Sequence, residues 1–116
     1  MTIFAVEMNK IEKKEIMKII GDVLKTARHQ RVKKITQEEI AHLIGISQEQ
    51  YSRIERGNGR LSIIELHVIC NRLGLPMTEF VIKVENYLCG KSQISPERKK
   101  KFQRWLRIYQ EYYGIK

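Results

Sequence analysis

Between residues 48 and 60 the chain gathers side chains suited to planar polar edges and anions: Gln48, Glu49, Ser52, Arg53, Arg56, Asn58 and Arg60. A glutamine amide sets a donor beside an acceptor, an arginine offers a rigid donor fork, and a carboxylate only accepts. None of these residues pairs a nucleophile with a base. His29, His42 and His67 share no spacing that makes a metal or catalytic site. Cys70 and Cys89 form neither a C-x-x-C nor a zinc-ligand pattern. No catalytic residue, metal or cofactor is expected, and the chemistry that remains is non-covalent recognition.

Two short helices must position these groups. Thr36 with Glu39 has the T-x-x-E form of a capping box, and Ser47 with Gln50 repeats it as S-x-x-Q. Gly45 lies between them, where a helix can stop in the left-handed conformation at little cost. Ile40, Ala41 and Ile44 share one face of the first helix, Tyr51 and Ile54 one face of the second. Two amphipathic helices joined by a glycine turn make a helix-turn-helix, whose second helix can lie in the major groove of DNA.

The run Thr36-Gln37-Glu38-Glu39-Ile40-Ala41, then Ile44-Gly45-Ile46-Ser47, then Tyr51-Ser52-Arg53-Ile54-Glu55-Arg56-Gly57 resembles the phage-repressor, Cro-like (XRE) family of transcription regulators. The likeness continues upstream through Ile20-Gly21-Asp22-Val23-Leu24 to Arg28, and downstream through Ser62-Ile63-Ile64-Glu65-Leu66 to Leu73-Gly74-Leu75. It spans roughly half the chain as one colinear pattern. The resemblance implies a five-helix all-α domain that binds double-stranded DNA.

Carried over residue by residue, the resemblance makes Gln37 the glutamine that clamps a phosphate at the start of the first of the two helices. It makes Gln48 and Glu49 base contacts, and Arg53, one turn further along and facing the same way as Glu49, is expected to join them as a base contact or to take a phosphate. Glutamine suits bidentate bonding to adenine, glutamate can accept from cytosine N4, and arginine can take guanine O6 and N7. Gln50 ranks lower because the capping box occupies it. Asn58 and Arg60 are expected over the flanking backbone, with Ser52 and Arg56 as further phosphate contacts. Tyr51 and Ile54 fall at buried family positions. A carboxylate at Glu55 would be repelled by phosphates, and the resemblance pairs it instead with Arg28 as a structural ion pair.

The flanks extend this pattern. Met1 to Met8 is expected as a strand or a frayed arm, and Asn9 with Glu12 has the spacing of a capping box. Ile16, Ile19, Ile20, Val23, Leu24 and Ala27 mark a helix face interrupted by Gly21, which costs about 1 kcal/mol relative to alanine. Arg31 to Lys34 is a basic connector, and Gly57-Asn58-Gly59 signals a turn. Ser62 with Glu65 caps a further helix with Ile63, Leu66, Ile69, Cys70 and Leu73 inward, ended by Gly74. Pro76 opens a fifth helix carrying Phe80, Val81, Val84 and Leu88. Beyond the family pattern, Ser95-Pro96-Glu97 starts another helix. Its Phe102, Trp105, Leu106, Tyr109 and Tyr112 share one face, opposite Arg98, Lys99, Lys101 and Arg104. Leu43, Ile64 and Val68 are apolar where the family is usually polar, so the N-terminal arm, this last helix or a second subunit is expected to cover them.

The totals fit this organisation. With 116 residues the chain is long enough for one modest core, and its net charge of +9 attracts a polyanion. No signal peptide or membrane-length apolar run is present, so a reduced, cytoplasmic protein is expected. The domains read as an extension over residues 1–15, the helix-turn-helix domain over 16–88, and a linker with an amphipathic helix over 89–116. The expected function is sequence-specific binding of double-stranded DNA by a homodimeric transcription regulator, a repressor on a two-fold operator. The alternative is the antitoxin of a toxin–antitoxin pair, with the C-terminal helix or the N-terminal arm masking a protein partner. An RNA-binding or coactivator use of the fold is disfavoured by Gln48 and Arg53. The last helix either joins subunits or packs on its own domain.

Overall fold

The computed structural model describes residues 10–90 and 96–113, and all of their regular structure is α-helical. The expected N-terminal arm and the caps at Asn9 and Ser95 lie outside the described residues, as does the side chain of Tyr109. In chain order the helices are α1 (Lys10–His29), α2 (Gln37–Ile44), α3 (Gln48–Glu55), α4 (Ile63–Leu73), α5 (Met77–Cys89) and α6 (Pro96–Tyr113). The expected boundary after residue 15 falls inside α1, which runs unbroken from Lys10. Its first turns therefore continue the helix that carries Arg28.

Local chemistry sets most helix ends. Ser47 and Ser62 each accept from the backbone N–H of the residue three places on, and Gln50 and Glu65 return the bond. Thr36 accepts from the Glu39 N–H at 3.1 Å, but the Glu39 carboxylate turns instead to Arg72 on α4. That box is half formed because a guanidinium across the helix pair offers a charge-assisted bond where the box offers an amide. Gly45 closes α2 at φ 75°, the left-handed conformation expected of it.

The core forms where α1 to α5 converge on Leu24, Ile40, Tyr51, Ile69 and Leu88, one from each helix and all fully buried. Ile63, expected inward, is exposed on the first turn of α4, and Val81 is exposed on α5. Cys70 is buried in the core, and burial pushes its thiol up to about 11. That is the behaviour of an inert packing residue.

Gly21 explains how α1 and α3 come so close. A Cβ at this position would lie 2.4 Å from the Glu55 carbonyl oxygen and 2.6 Å from that of Ile54. Both obstacles are backbone, so neither can swing aside. Gly21→Ala raises helix propensity yet is expected to destabilise the protein by roughly 1–3 kcal/mol, because overpacking outweighs propensity. Urea unfolding measures the sign directly, and a stabilised variant would contradict the close approach.

Among the described helices α6 packs against α5, with Phe102 buried and the Arg98 guanidinium donating to Glu85 at 3.2 Å. This placement narrows the alternatives left open for α6 within a single chain. The α6 stripe is not buried as a whole: Leu106 is half-buried, Trp105 is 46% exposed and Tyr112 is 80% exposed. Nor does α6 reach Leu43 and Ile64, which remain 45% and 73% exposed, while Val68 is half-buried. A helix tethered next to α5 and bonded to Glu85 lies away from the α2–α4 face.

Candidate nucleic-acid interface

The interface is built outward from one buried ion pair. Arg28, in the last turn of α1, donates from Nε to Glu55 Oε2 at 2.9 Å and from Nη2 to Oε1 at 3.0 Å. Its Nη1 donates to the Ile35 carbonyl at 3.0 Å, tying the basic connector to the same anchor. The side chains are only 10% and 2% exposed. Burial alone would raise the Glu55 carboxyl, but donors from Arg28 and Gln37 hold it below the usual carboxylate range. The hydrogen bond to Glu55 raises Arg28 despite its own burial. The Tyr51 hydroxyl is buried with no hydrogen-bond partner of good geometry, and burial next to Glu55 pushes its ionisation upward.

From Glu55 a chain of amides leads to the surface. Gln37 Nε2 donates to Glu55 Oε1 at 2.9 Å, and Gln48 Nε2 donates to Gln37 Oε1 at 2.8 Å. The order of atoms is forced. A carboxylate only accepts, so Gln37 must turn its amide nitrogen inward and its oxygen towards Gln48. Gln48 must then give that oxygen one amide hydrogen, which leaves its own Oε1 and a second hydrogen directed outward. The ion pair thus fixes the orientation of an exposed amide on the first turn of α3.

The rest of the exposed α3 face is a cluster around Glu49. Its Oε2 lies 3.8 Å from Arg53 Nε and 3.3 Å from Arg56 Nη2, and Arg56 Nη1 donates to Ser52 Oγ at 2.7 Å. All but half-buried Ser52 are solvent-facing, so these pairs are weak, about 0.2–1 kcal/mol each. Asn58 and Arg60 are exposed in the loop after α3, which Gly57 enters at φ 84°. Contacts join Gln37 to Gln48 and Glu49 to Arg53 and Arg56 along the start of α2 and the outer face of α3, and Asn58 and Arg60 follow in the next loop. Reading the sequence did not foresee the Gln37–Gln48 link or the Ile35 anchor. A glutamine directly after each capping residue, at positions 37 and 48, was the available signal.

A family profile described as helix-turn-helix matches residues 28–80 of this chain. A relative in Sinorhizobium fredii, the uncharacterized HTH-type transcriptional regulator y4dJ, is 34% identical over 67 residues, covering 58% of this chain and 84% of the relative. The chain belongs to the XRE-type helix-turn-helix family. As a member it is a DNA-binding transcription regulator, a class that is not enzymatic. Two crystal structures of the clp gene regulator ClgR from Corynebacterium glutamicum share its fold. One aligns with TM-score 0.54 at 24% identity, covering 61% of this chain and 88% of that one. The other aligns with TM-score 0.57 at 18% identity, covering 86% and 96% respectively, a larger share of this XRE-type chain than α1 to α5 occupy. No described helix of this family member is long and apolar enough to cross a membrane, and no described group of His, Cys, Asp or Glu could hold a metal ion.

Proposed function

We propose that the protein represses transcription by binding a specific double-stranded DNA sequence as a homodimer, with α3 of each subunit in the major groove. The oriented Gln48 amide carries this reading. Its outward Oε1 can accept from adenine N6 while the remaining Nε2 hydrogen donates to N7, so the Glu55–Gln37 chain presets an adenine reader. The second hydrogen of Gln37 Nε2 and the backbone N–H groups that open α2 are left for a phosphate.

Glu49 and Arg53 complete the proposed base contacts. Their exposed ion pair costs little to open, whereas a good bidentate base contact contributes about 1–3 kcal/mol of discrimination. Both side chains can therefore turn to DNA. Ser52, Arg56, Asn58 and Arg60 supply backbone contacts that hold register without reading sequence. A subunit seated in this way denies the same stretch of DNA to other proteins, which is the simplest route to repression.

The homodimer rests on α6. Trp105, Ile108 and Tyr112 follow at helical spacing next to the face that packs on α5, so the apolar arc is wider than one neighbour covers. Ile108, 46% exposed, joins the stripe read from the sequence. The test is selection of bound duplexes from a random-sequence pool by the full chain. The expected product is a two-fold motif with half-site centres about 34 Å apart and an A·T pair in each half. A pool that shows no enrichment would overturn the reading.

A further inference from the structure

The first turns of α1 fall outside the family pattern, yet they lie against the loop that the proposed interface uses. A Cβ at Gly57 would sit 2.8 Å from the Lys18 Cα and 3.1 Å from its backbone nitrogen, so α1 crosses this loop at Lys18. One turn earlier, Lys13 lines the same hollow as Gly59 and Arg60, together with Met17, Ile20 and Ile54. Lys14 shares a helix face with Lys18 and with Gly21, the residue pressed against the end of α3. Lys13, Lys14 and Lys18 are all exposed. Among the described residues no carboxylate lies within salt-bridge distance of any of them.

Three exposed lysine charges are thus carried past the end of α3 on one helix, Lys18 against Gly57 and Lys13 beside Arg60. Long flexible ammonium groups suit phosphate as point charges and carry no base information. We infer that Lys13, Lys14 and Lys18 form a second contact zone on the duplex backbone. This zone extends the footprint of each subunit beyond the segment whose bases α3 reads. The inference rests on the DNA-binding reading above and adds affinity and salt sensitivity to it without altering the preferred sequence.

The test compares the full chain with the triple variant Lys13→Gln, Lys14→Gln, Lys18→Gln on the duplex selected from the random pool, across a salt series. A control variant, Lys100→Gln, Arg104→Gln, Arg107→Gln, removes as many charges from the exposed side of α6. Each lost phosphate contact lowers the slope of log K against log salt by about 0.9. The α1 variant should therefore flatten by about 2–3 per subunit and bind at least tenfold more weakly at low salt, with the order of preferred bases unchanged. The control should keep the wild-type slope. Equal flattening in both variants would reduce the effect to overall charge and overturn the inference, as would an unchanged α1 slope. In either case wild-type base preference survives, so the reading of α3 stands. Loss of sequence preference in the wild type itself would instead remove the DNA reading and this inference with it. Circular dichroism of both variants should match the wild type, since all six positions are solvent-facing.

Discussion

Glu55→Ala is expected to destabilise the protein by about 3–5 kcal/mol, because it strands the Arg28 guanidinium in a site built for a pair. Arg28→Ala should cost a similar amount for the converse reason. The double variant should cost less than the two losses added together, since no unpaired charge remains. Urea unfolding of the four proteins measures this cycle. Strictly additive losses would contradict the coupling, and negligible single losses would contradict the burial. The pH dependence has a fixed sign. The folded Glu55 carboxyl titrates below its ordinary value, so the pair contributes fully above the unfolded value of about 4.3 and is lost as pH falls through the folded one. Glu55→Ala should therefore flatten the acid side of the stability profile. Because Glu55 also orients Gln37, the same variant should blur base preference in whatever fraction remains folded.

The second large effect concerns assembly. Removing α6 altogether would uncover the α5 surface that Phe102 seals, so truncation confuses folding with pairing. The variant Trp105→Ser, Ile108→Ser, Tyr112→Ser changes only the outer part of the apolar arc and leaves the buried Phe102 in place. It should sediment as a folded monomer and bind the selected duplex about 10²–10⁴-fold more weakly, because two linked half-sites gain avidity. A variant that stays dimeric and binds normally would remove α6 as the joint. That outcome would favour a joint elsewhere, for which the exposed side chains of Leu43, Ile63 and Ile64 are candidates.

The helix-turn-helix was legible in the sequence because its signals are local. A capping residue and its partner lie three positions apart, and a stop glycine needs only its own φ, so Ser47, Ser62 and Gly45 declare themselves. What escaped depends on contacts across the fold. Glu39 has the right spacing for a box, but Arg72 lies 33 residues away and takes its carboxylate. Gly21 costs α1 helix propensity, and only the Glu55 carbonyl packed against it gives the reason. The α6 stripe was visible as a face, but periodicity says only that a face is apolar and not how much of it one neighbour covers. Likewise the site residues could be placed on α2, α3 and the loop, whereas the direction of the Gln48 amide follows only from the carboxylate behind Gln37.

A buried ion pair that presets an amide on α3 to read one base makes a specific demand of Gln48. That demand is tested most directly by measuring binding of wild type and Gln48→Ala to the selected duplex and to duplexes with each base pair replaced in turn. The wild type should lose about 1–3 kcal/mol at one A·T position per half-site. Gln48→Ala should lose discrimination at that position and keep it elsewhere. If Gln48→Ala instead weakens every duplex by the same factor and leaves the order of preference intact, Gln48 does not read a base and the account is wrong.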